Sequence, residues 1–177
     1  MERVALRTPF GFLGLEFSST ELFRIRINPS LTPGLSAKKK PDWLRLLLDE
    51  LDEYFTGQSA GFSEFPLLLN SLEPLERCIL GKIQKIPFGK TTTYGGIARD
   101  IKSIHYARVV GRTCARNPFP ILIPCHRVCA VGGLGGYSGG LEIKKYLLKL
   151  EGAIPVGRSF TAAEVTKNKK ALRGLLK

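Results

Sequence analysis

The sequence predicts a two-part α/β protein, with a small mixed α/β part in residues 1–70 and a mostly helical part in residues 71–157. Three observations predict this division. Residues 21–27 alternate apolar and basic side chains, as a half-buried strand does. The second part carries several segments with apolar residues at helical spacing. Its charge also differs sharply from that of the first part, and a basic tail follows in residues 158–177.

One helix is predicted in the first part. Pro41 suits the first position of a helix, and Gly57 suits its end. Between them, apolar residues recur at helical spacing: Leu44, Leu47, Leu48, Leu51 and Phe55. The preceding residues break regular structure and predict a solvated loop: Pro29, Pro33, Gly34 and the lysines 38–40. Residues 61–71 are expected to form an extended connector into the second part.

Four helices are predicted in the second part. Residues 74–86 carry an apolar stripe that Pro87 and Gly89 end: Leu75, Ile79, Leu80 and Ile83. Threonines 91–93 can cap a short helix from Tyr94 to about residue 101, and another helix is expected at about 104–116. In the last helix, residues 141–150, one face is apolar: Ile143, Tyr146, Leu147 and Leu150.

The net charge of +12 lies wholly in residues 71–177, which are the second part and the basic tail. Residues 1–70 carry eight Lys/Arg and nine Asp/Glu, whereas residues 71–177 carry nineteen and six. A basic region on one side of a chain indicates a polyanionic partner, usually nucleic acid. Residues 82–116 hold eight Lys/Arg against Asp100 alone, on two short helices joined by a tight turn. That spacing fits a helix-turn-helix or a structural helical hairpin, and the charge favours the first.

Several classes of protein are excluded by composition. The chain has no run of about 18 apolar residues that could span a membrane, and its charged first residues do not resemble a secretory signal. We therefore expect a location inside the cell. Four cysteines are too few for a disulfide scaffold, and without a CxxC pair they predict no zinc site. Cys78 and Cys114 are expected to be small buried residues on helices.

Residues 121–128 carry the candidate chemistry. An apolar run would bury them, Pro124 would stiffen them, and Cys125 and His126 follow side by side. Burial raises the pKa of a thiol, so a buried nucleophilic cysteine needs a base and an acid that orients the base. His126 can be the base and Glu151 the acid. A Cys-His dipeptide also occurs by chance, and the residues alone leave that alternative open.

The wider segment resembles the O6-alkylguanine-DNA alkyltransferase family. The resemblance covers residues 75–152 and lies in Pro-Cys-His-Arg-Val at 124–128, Gly-Tyr-Ser-Gly-Gly-Leu at 136–141, Tyr94, Ala107-Arg108, Asn117-Pro118 and Glu151-Gly152. The first 70 residues match weakly. The resemblance implies a ribonuclease H-like N-terminal domain and a C-terminal domain with a winged-helix-like helix-turn-helix. It also implies irreversible transfer of the alkyl group from guanine in double-stranded DNA to the protein's own cysteine, without cofactor or metal.

The resemblance further implies a role for each matching residue. Cys125 would accept the alkyl group, and His126, held by Glu151, would take the thiol proton through a water. Asn117 would brace the turn at the site, and Tyr94 would donate a proton to guanine N3 or stack near it. The flipped base would contact Val128, Tyr137 and Ser138. On DNA, Arg108 would fill the gap in the stack, and the remaining DNA contacts would come from Ala107, Gly111, Thr91, Thr93 and Tyr94. We expect a monomer, in the cytoplasm, or in the nucleus of a eukaryote.

Some features depart from the family. Cys129 stands where an apolar residue is common, the glycine-rich loop 131–136 is short, and residues 1–77 contain no Cys or His to match the zinc ligands of some relatives. Three alternatives remain: a lesion-binding module without transfer, a cysteine hydrolase and a helix-turn-helix regulator. The presence of Cys125 argues against the first, and the basic helices argue against the second. A regulator would not need the Cys-His pair.

Overall fold

The computed structural model describes residues 1–27, 40–59 and 61–153. The predicted loop residues from Pro29 to Lys39 and the basic tail 158–177 lie outside this description, as do residues 154–157 of the predicted second part. Within the described ranges, no helix is long and apolar enough to cross a membrane.

The first part is built on a three-stranded antiparallel sheet in the order β1-β2-β3, with β1 at Glu2–Thr8, β2 at Gly11–Phe17 and β3 at Leu22–Ile27. The predicted strand at 21–27 is therefore confirmed as β3. Alternation of side chains buries Leu13, Leu15 and Phe17 of β2 completely. A backbone hydrogen bond connects this sheet to the second part: the Ile25 N–H on β3 donates to the Pro118 carbonyl at 2.8 Å.

Helix α1 (Asp42–Phe55) confirms the predicted helix, with Pro41 just before its first residue. Its buried residues include Leu44, Leu47 and Leu51, whose apolar side chains share one buried cluster with the sheet. Trp43 packs edge-on against Phe17 at 6.3 Å, which fixes the start of the helix on the sheet. Each Å² of apolar surface that these side chains bury stabilises the fold by about 25 cal/mol.

Helix α2 (Pro74–Gln84) ends two residues before the predicted bound, and Ile79, Leu80 and Ile83 are buried as expected. Leu75, however, is 37% exposed. It lies in the first turn of α2, and the side chains of a helix lean toward its N-terminal end, beyond which Leu75 has no further helical turn to pack on. The expectation of a buried Cys78 is also wrong, since Cys78 is exposed on the side of α2 opposite its buried residues.

Two short helices follow. Helix α3 (Tyr94–Ile101) begins after Thr93, whose Oγ1 accepts a hydrogen bond from the Gly96 N–H and so confirms the predicted cap. Helix α4 (Ala107–Arg116) starts later than predicted, because residues 104–106 form a 3₁₀ turn. The Ser103 hydroxyl oxygen accepts from the His105 N–H and sets this turn. Cys114 on α4 is buried, as expected.

A two-stranded parallel sheet joins these helices to the predicted chemical segment. Strand β4 (Thr92–Thr93) pairs with β5 (Val128–Cys129), which places the start of α3 beside residues 128–129. Helix α5 (Leu141–Leu150) then closes the fold and buries Leu147 and Leu150 as predicted. Its buried residues also include Lys144 and Leu148, which lie outside the predicted apolar face. One main cluster of buried residues includes side chains from both parts of the chain.

Candidate active site

The segment before Cys125 is held in a strained, buried turn. Ile121 has a φ of 77°, which is uncommon for a β-branched residue, and it is buried. The Asn117 side chain braces the turn: its Oδ1 accepts from the Phe119 N–H at 3.0 Å, and its Nδ2 donates to the Ile123 carbonyl at 2.7 Å. The same Nδ2 donates to Cys125 Sγ at 3.1 Å. One amide therefore fixes both the turn and the thiol.

Cys125 is only 3% exposed, in a 3₁₀ turn formed by residues 125–127. Burial raises the pKa of its thiol, and the Asn117 hydrogen bond and the Lys144 charge oppose this rise only in part. A thiol in this state is protonated at neutral pH and a poor nucleophile. The site must therefore supply a base before Cys125 can react.

That base is adjacent in sequence and has a partner at the end of α5. His126 Nε2 lies 2.7 Å from Glu151 Oε1, and both side chains are fully buried. Burial lowers the pKa of His126, which keeps the imidazole neutral. Burial by itself raises the pKa of Glu151, yet hydrogen bonds from His126 and Arg127, with the Arg127 charge, lower it to about 2.

The charge states assign the histidine tautomer. Because Glu151 is an anion, it can only accept, so His126 Nε2 carries the proton and donates it to the carboxylate. The other nitrogen, Nδ1, is then the basic one. It is buried, and no described residue hydrogen-bonds to it. A neutral imidazole with a basic nitrogen left for a reacting group is the arrangement that a general base requires.

Three further groups hold Glu151, and none of them was predicted as its partner. Arg127 Nε and Nη2 donate to the two carboxylate oxygens at 2.8 and 2.9 Å, and Arg127 Nη1 donates to the Ile86 carbonyl at 2.6 Å. The Tyr54 hydroxyl donates to Glu151 Oε1 at 2.6 Å, and the Gly89 N–H donates to Oε2 at 3.3 Å. Arg127 could have been inferred, since it follows His126 and a buried arginine needs an acid.

A buried lysine organises the wall beside the thiol. Lys144 Nζ donates to the Val128 carbonyl at 2.7 Å and to the Gly136 carbonyl at 3.1 Å, and the Tyr94 hydroxyl donates to the same Gly136 carbonyl at 3.3 Å. Burial raises the pKa of Tyr94 to about 12, so this phenol stays protonated. Gly135 has a φ of 69°, and a Cβ there would lie 2.8 Å from the Tyr94 ring, so only glycine fits.

Tyr137 and Ser138 follow this wall. Tyr137 stands edge-on to the His126 imidazole at 6.5 Å, and its hydroxyl oxygen is buried without a hydrogen-bond partner among the described residues. Ser138 is exposed. The predicted pocket residues therefore divide into an inner aromatic wall and an outer hydroxyl.

The predicted surface residues lie on α3 and α4. Arg108 is exposed one position into α4, after Ala107, and Gly111 lies one turn later with the Tyr94 ring 3.9 Å from where its Cβ would be. Thr93 uses its hydroxyl to cap α3, and Thr91 is half-buried. Cys129 is fully buried in a small cluster with Leu148 and Ala153. The described residues contain no group of three or more Cys, His, Asp or Glu that could hold a metal ion.

The sequence and the fold of this chain are both similar to those of known proteins. Residues 74–153 match the family model described as 6-O-methylguanine DNA methyltransferase, DNA binding domain. A methylated-DNA–protein-cysteine methyltransferase of Methanopyrus kandleri is 45% identical over 116 residues, which cover 65% of this chain and 86% of that relative. A crystal structure of Mycobacterium tuberculosis OGT in complex with DNA has a TM-score of 0.73 and 30% identity, covering 85% of this chain and 93% of that chain. An O6-methylguanine DNA methyltransferase of Methanococcus jannaschii has a TM-score of 0.58 and 30% identity, covering 89% and 98%.

Proposed function

Because this chain belongs to the methylated-DNA–protein-cysteine methyltransferase family, we propose that Cys125 is the residue that accepts the alkyl group. The protein binds DNA and repairs O6-alkylguanine by direct reversal, as a methylated-DNA–protein-cysteine S-methyltransferase. The observation that carries the assignment of Cys125 is the buried His126–Glu151 pair at 2.7 Å, next in sequence to a buried thiol. The neutral imidazole of His126 can take the proton that the buried Cys125 thiol must lose before it attacks.

The transfer moves one proton from the Cys125 thiol and one alkyl group from the guanine. The thiol proton passes through a water to His126 Nδ1, and the imidazolium is stabilised by the Glu151 carboxylate. The Cys125 sulfur attacks the alkyl carbon, the carbon–O6 bond breaks, and its electron pair stays on the guanine. Tyr94 hydrogen-bonds to guanine N3 and so stabilises the departing guanine anion. The anion then takes up a proton from water, and His126 releases its proton to water, which balances the charges. The thioether is permanent, because none of the described side chains near Cys125 could cleave it, so each molecule repairs one lesion.

Base recognition requires the nucleotide to leave the stack, at a cost of a few kcal/mol. Helices α3 and α4 act as a helix-turn-helix that docks in the minor groove. The exposed Arg108 enters the stack in place of the extruded nucleotide, and the small side chains of Ala107 and Gly111 allow close approach. Thr91, Thr93 and Tyr94 contact the DNA beside it. The flipped base meets Val128, Tyr137 and Ser138.

Selectivity for damaged guanine comes from the pocket rather than from the positive charge of the protein. The cations of residues 82–116 anchor phosphates and steer association, but phosphate contacts carry no information about a damaged base. Damaged guanine pairs weakly, so its extrusion costs less than that of a normal base. Asn117 keeps the turn and the thiol in register with the pocket, which the two buried hydrogen bonds of its Nδ2 support.

The finer organisation follows the same proposal. Residues 1–70 form a ribonuclease H-like domain with its connector, residues 71–157 form the winged-helix-like acceptor domain, and residues 158–177 are a basic tail. The protein acts as a monomer without cofactor or metal, in the compartment that holds the DNA, which is the cytoplasm or, in a eukaryote, the nucleus.

Intact mass after incubation with a duplex that contains O6-methylguanine tests this proposal. We expect one added methylene per molecule, lost in Cys125→Ala and retained in Cys78→Ala, which removes an exposed thiol. Binding of the duplex without any gain in mass would instead identify a lesion-binding module. Repeated turnover of an ester or amide substrate would identify a cysteine hydrolase.

A further inference from the structure

Tyr54 brings the N-terminal part of the chain into the acceptor site. It lies in the last turn of α1, 97 residues before Glu151 in sequence, and is fully buried. Its ring packs edge-on against Phe55, Phe62 and Phe88 at 5.3, 5.7 and 6.0 Å. These contacts leave the ring little freedom, so the hydroxyl is held at one position.

That hydroxyl meets the carboxylate oxygen that also serves the histidine. Glu151 Oε1 accepts from Tyr54 at 2.6 Å, from His126 Nε2 at 2.7 Å and from Arg127 Nη2 at 2.9 Å. The direction of the Tyr54 bond is fixed, because the carboxylate is an anion and burial beside it raises the pKa of the phenol. The Tyr54 and His126 protons therefore compete for the same oxygen.

We propose that Tyr54 is a positioning residue for alkyl transfer, whose hydroxyl fixes Glu151 Oε1 and limits how strongly that oxygen holds the His126 imidazole. The inference rests on the proposed roles of Cys125, His126 and Glu151. The Tyr54 hydroxyl donates to Glu151 Oε1, and its oxygen also lies 3.5 Å from His126 Nε2. Because the Nε2 proton is directed to the same carboxylate oxygen at 2.7 Å, Tyr54 acts on the imidazole mainly through that shared oxygen.

Two consequences follow from the geometry. Without the phenol, Oε1 loses a charge-assisted donor and accepts more strongly from His126, which stabilises the imidazolium and raises its pKa. The carboxylate also loses its hydrogen bond from α1, so its plane and the imidazole are held less rigidly. The first effect moves the acid limb of the rate to higher pH, and the second lowers the rate on the plateau.

Other ionisable groups face this pair and are unchanged by loss of the phenol. Arg127 bonds to both oxygens of Glu151, and the Lys144 charge acts on His126 from α5. Tyr137 stands edge-on to the imidazole, and Cys125 precedes it in sequence. Because all four remain, a change in His126 after substitution of Tyr54 reports on the phenol alone.

Tyr54→Phe in the full chain is the test, since it removes one oxygen and keeps the aromatic packing. Tyr146→Phe is the matched control: Tyr146 packs edge-on against Phe10 at 5.7 Å and gives no hydrogen bond to Glu151. Single-turnover methyl transfer from a duplex is measured against pH for both variants. We expect Tyr54→Phe to lower the plateau about tenfold, a fraction of what a general base contributes. Its acid limb should rise by roughly half to one pH unit.

Nuclear magnetic resonance of His126 provides a measurement that would not change if Tyr54 only supported the fold. The chain has two histidines, so in ¹⁵N-histidine-labelled protein the exposed His105 is an internal reference for His126. The His126 Nε2–H proton should move downfield in Tyr54→Phe and stay unchanged in Tyr146→Phe. In the unsubstituted protein this proton should show a nuclear Overhauser effect to the Tyr54 hydroxyl proton.

The outcomes separate the two proposals. An unsubstituted protein that gains no mass refutes the proposed function itself. If it does gain mass, then a Tyr54→Phe rate profile and a His126 resonance that both match the control overturn the role of Tyr54. Absence of the Overhauser effect in the unsubstituted protein overturns it as well, even if the variant folds poorly.

Discussion

The Nδ2 atom of Asn117 donates hydrogen bonds to the Cys125 sulfur at 3.1 Å and to the Ile123 carbonyl at 2.7 Å. One side chain thus links the turn around Ile121 to the proposed acceptor atom. A hydrogen bond to sulfur stabilises developing thiolate, and burial otherwise raises the pKa of this thiol. The geometry of the turn and the reactivity of the thiol therefore depend on the same amide.

Asn117→Ala should destabilise the fold and slow transfer together. It leaves the Phe119 N–H without its acceptor and removes one of two donors to the Ile123 carbonyl, which keeps the Cys125 N–H, and we expect unfolding to become easier by about 1–3 kcal/mol. The loss of the donor to Cys125 should also raise the thiol pKa further. Denaturant unfolding and single-turnover transfer measure the two effects. Asn70→Ala is the control, since Asn70 is exposed and accepts from Arg77 at the surface; equal effects in both variants would contradict the bracing role.

Arg127→Met should change how stability depends on pH. Glu151 has a pKa of about 2 in the folded protein, below an unfolded value of about 4.3. Its ionisation therefore contributes stability that is present above about pH 4.3 and is lost as the pH falls toward 2. Without Arg127 the folded pKa of Glu151 rises, so this part of the acid dependence shrinks. The loss of a buried partner should cost about 3–5 kcal/mol at neutral pH.

Unfolding by denaturant at several pH values between 3 and 7 checks this prediction. Arg45→Met is the control, because Arg45 forms an exposed pair with Asp42. If Arg127→Met kept the full acid dependence of the parent protein, then Arg127 would not be what lowers the pKa of Glu151.

Glu151→Gln should slow transfer while leaving DNA binding intact. An amide cannot stabilise the imidazolium that forms when His126 takes the thiol proton, and we expect about a hundredfold loss of rate. Glu142→Gln is a matched control on the same helix, where Glu142 forms an exposed pair with Lys145. Rapid-quench measurement of transfer separates the two variants, and an unchanged rate in Glu151→Gln would remove the carboxylate from the relay.

Arg108→Ala should impair repair of duplex DNA far more than reaction with the free O6-alkylated base. Extrusion of the nucleotide costs a few kcal/mol, so loss of the side chain that replaces it should slow duplex repair by roughly 10- to 100-fold. The free base needs no extrusion. Arg77→Ala, an exposed arginine on α2, provides the control. Equal losses on both substrates would count against the role of Arg108 in the stack.

Local patterns in the sequence were sufficient to predict the helices, but not the residues that support the site. Helical spacing predicted α1, α2 and α5, because burial on one side of a helix leaves a period in the chain. Tyr54 left no such signal: its hydroxyl meets Glu151 only after α1 folds against the second part. Lys144 lies within an amphipathic helix but is fully buried, because the carbonyls of Val128 and Gly136 satisfy its ammonium. Cys78 was misassigned since composition gives the average burial of cysteine, not the face of α2 on which it lies.

Methylation of Cys125 should lower the stability of the protein. Cys125 is 3% exposed, and its neighbours in the chain, from Phe119 to Val128, are buried, so a new methyl group on its sulfur has little room. Overpacking of this kind costs about 1–3 kcal/mol, and a thioether sulfur is also a weak acceptor for Asn117 Nδ2. Thermal unfolding of the protein before and after stoichiometric reaction measures the change. Cys125→Ala, exposed to the same DNA, controls for bound duplex, and a melting temperature that does not fall on methylation would show that the pocket accommodates the methyl group without strain.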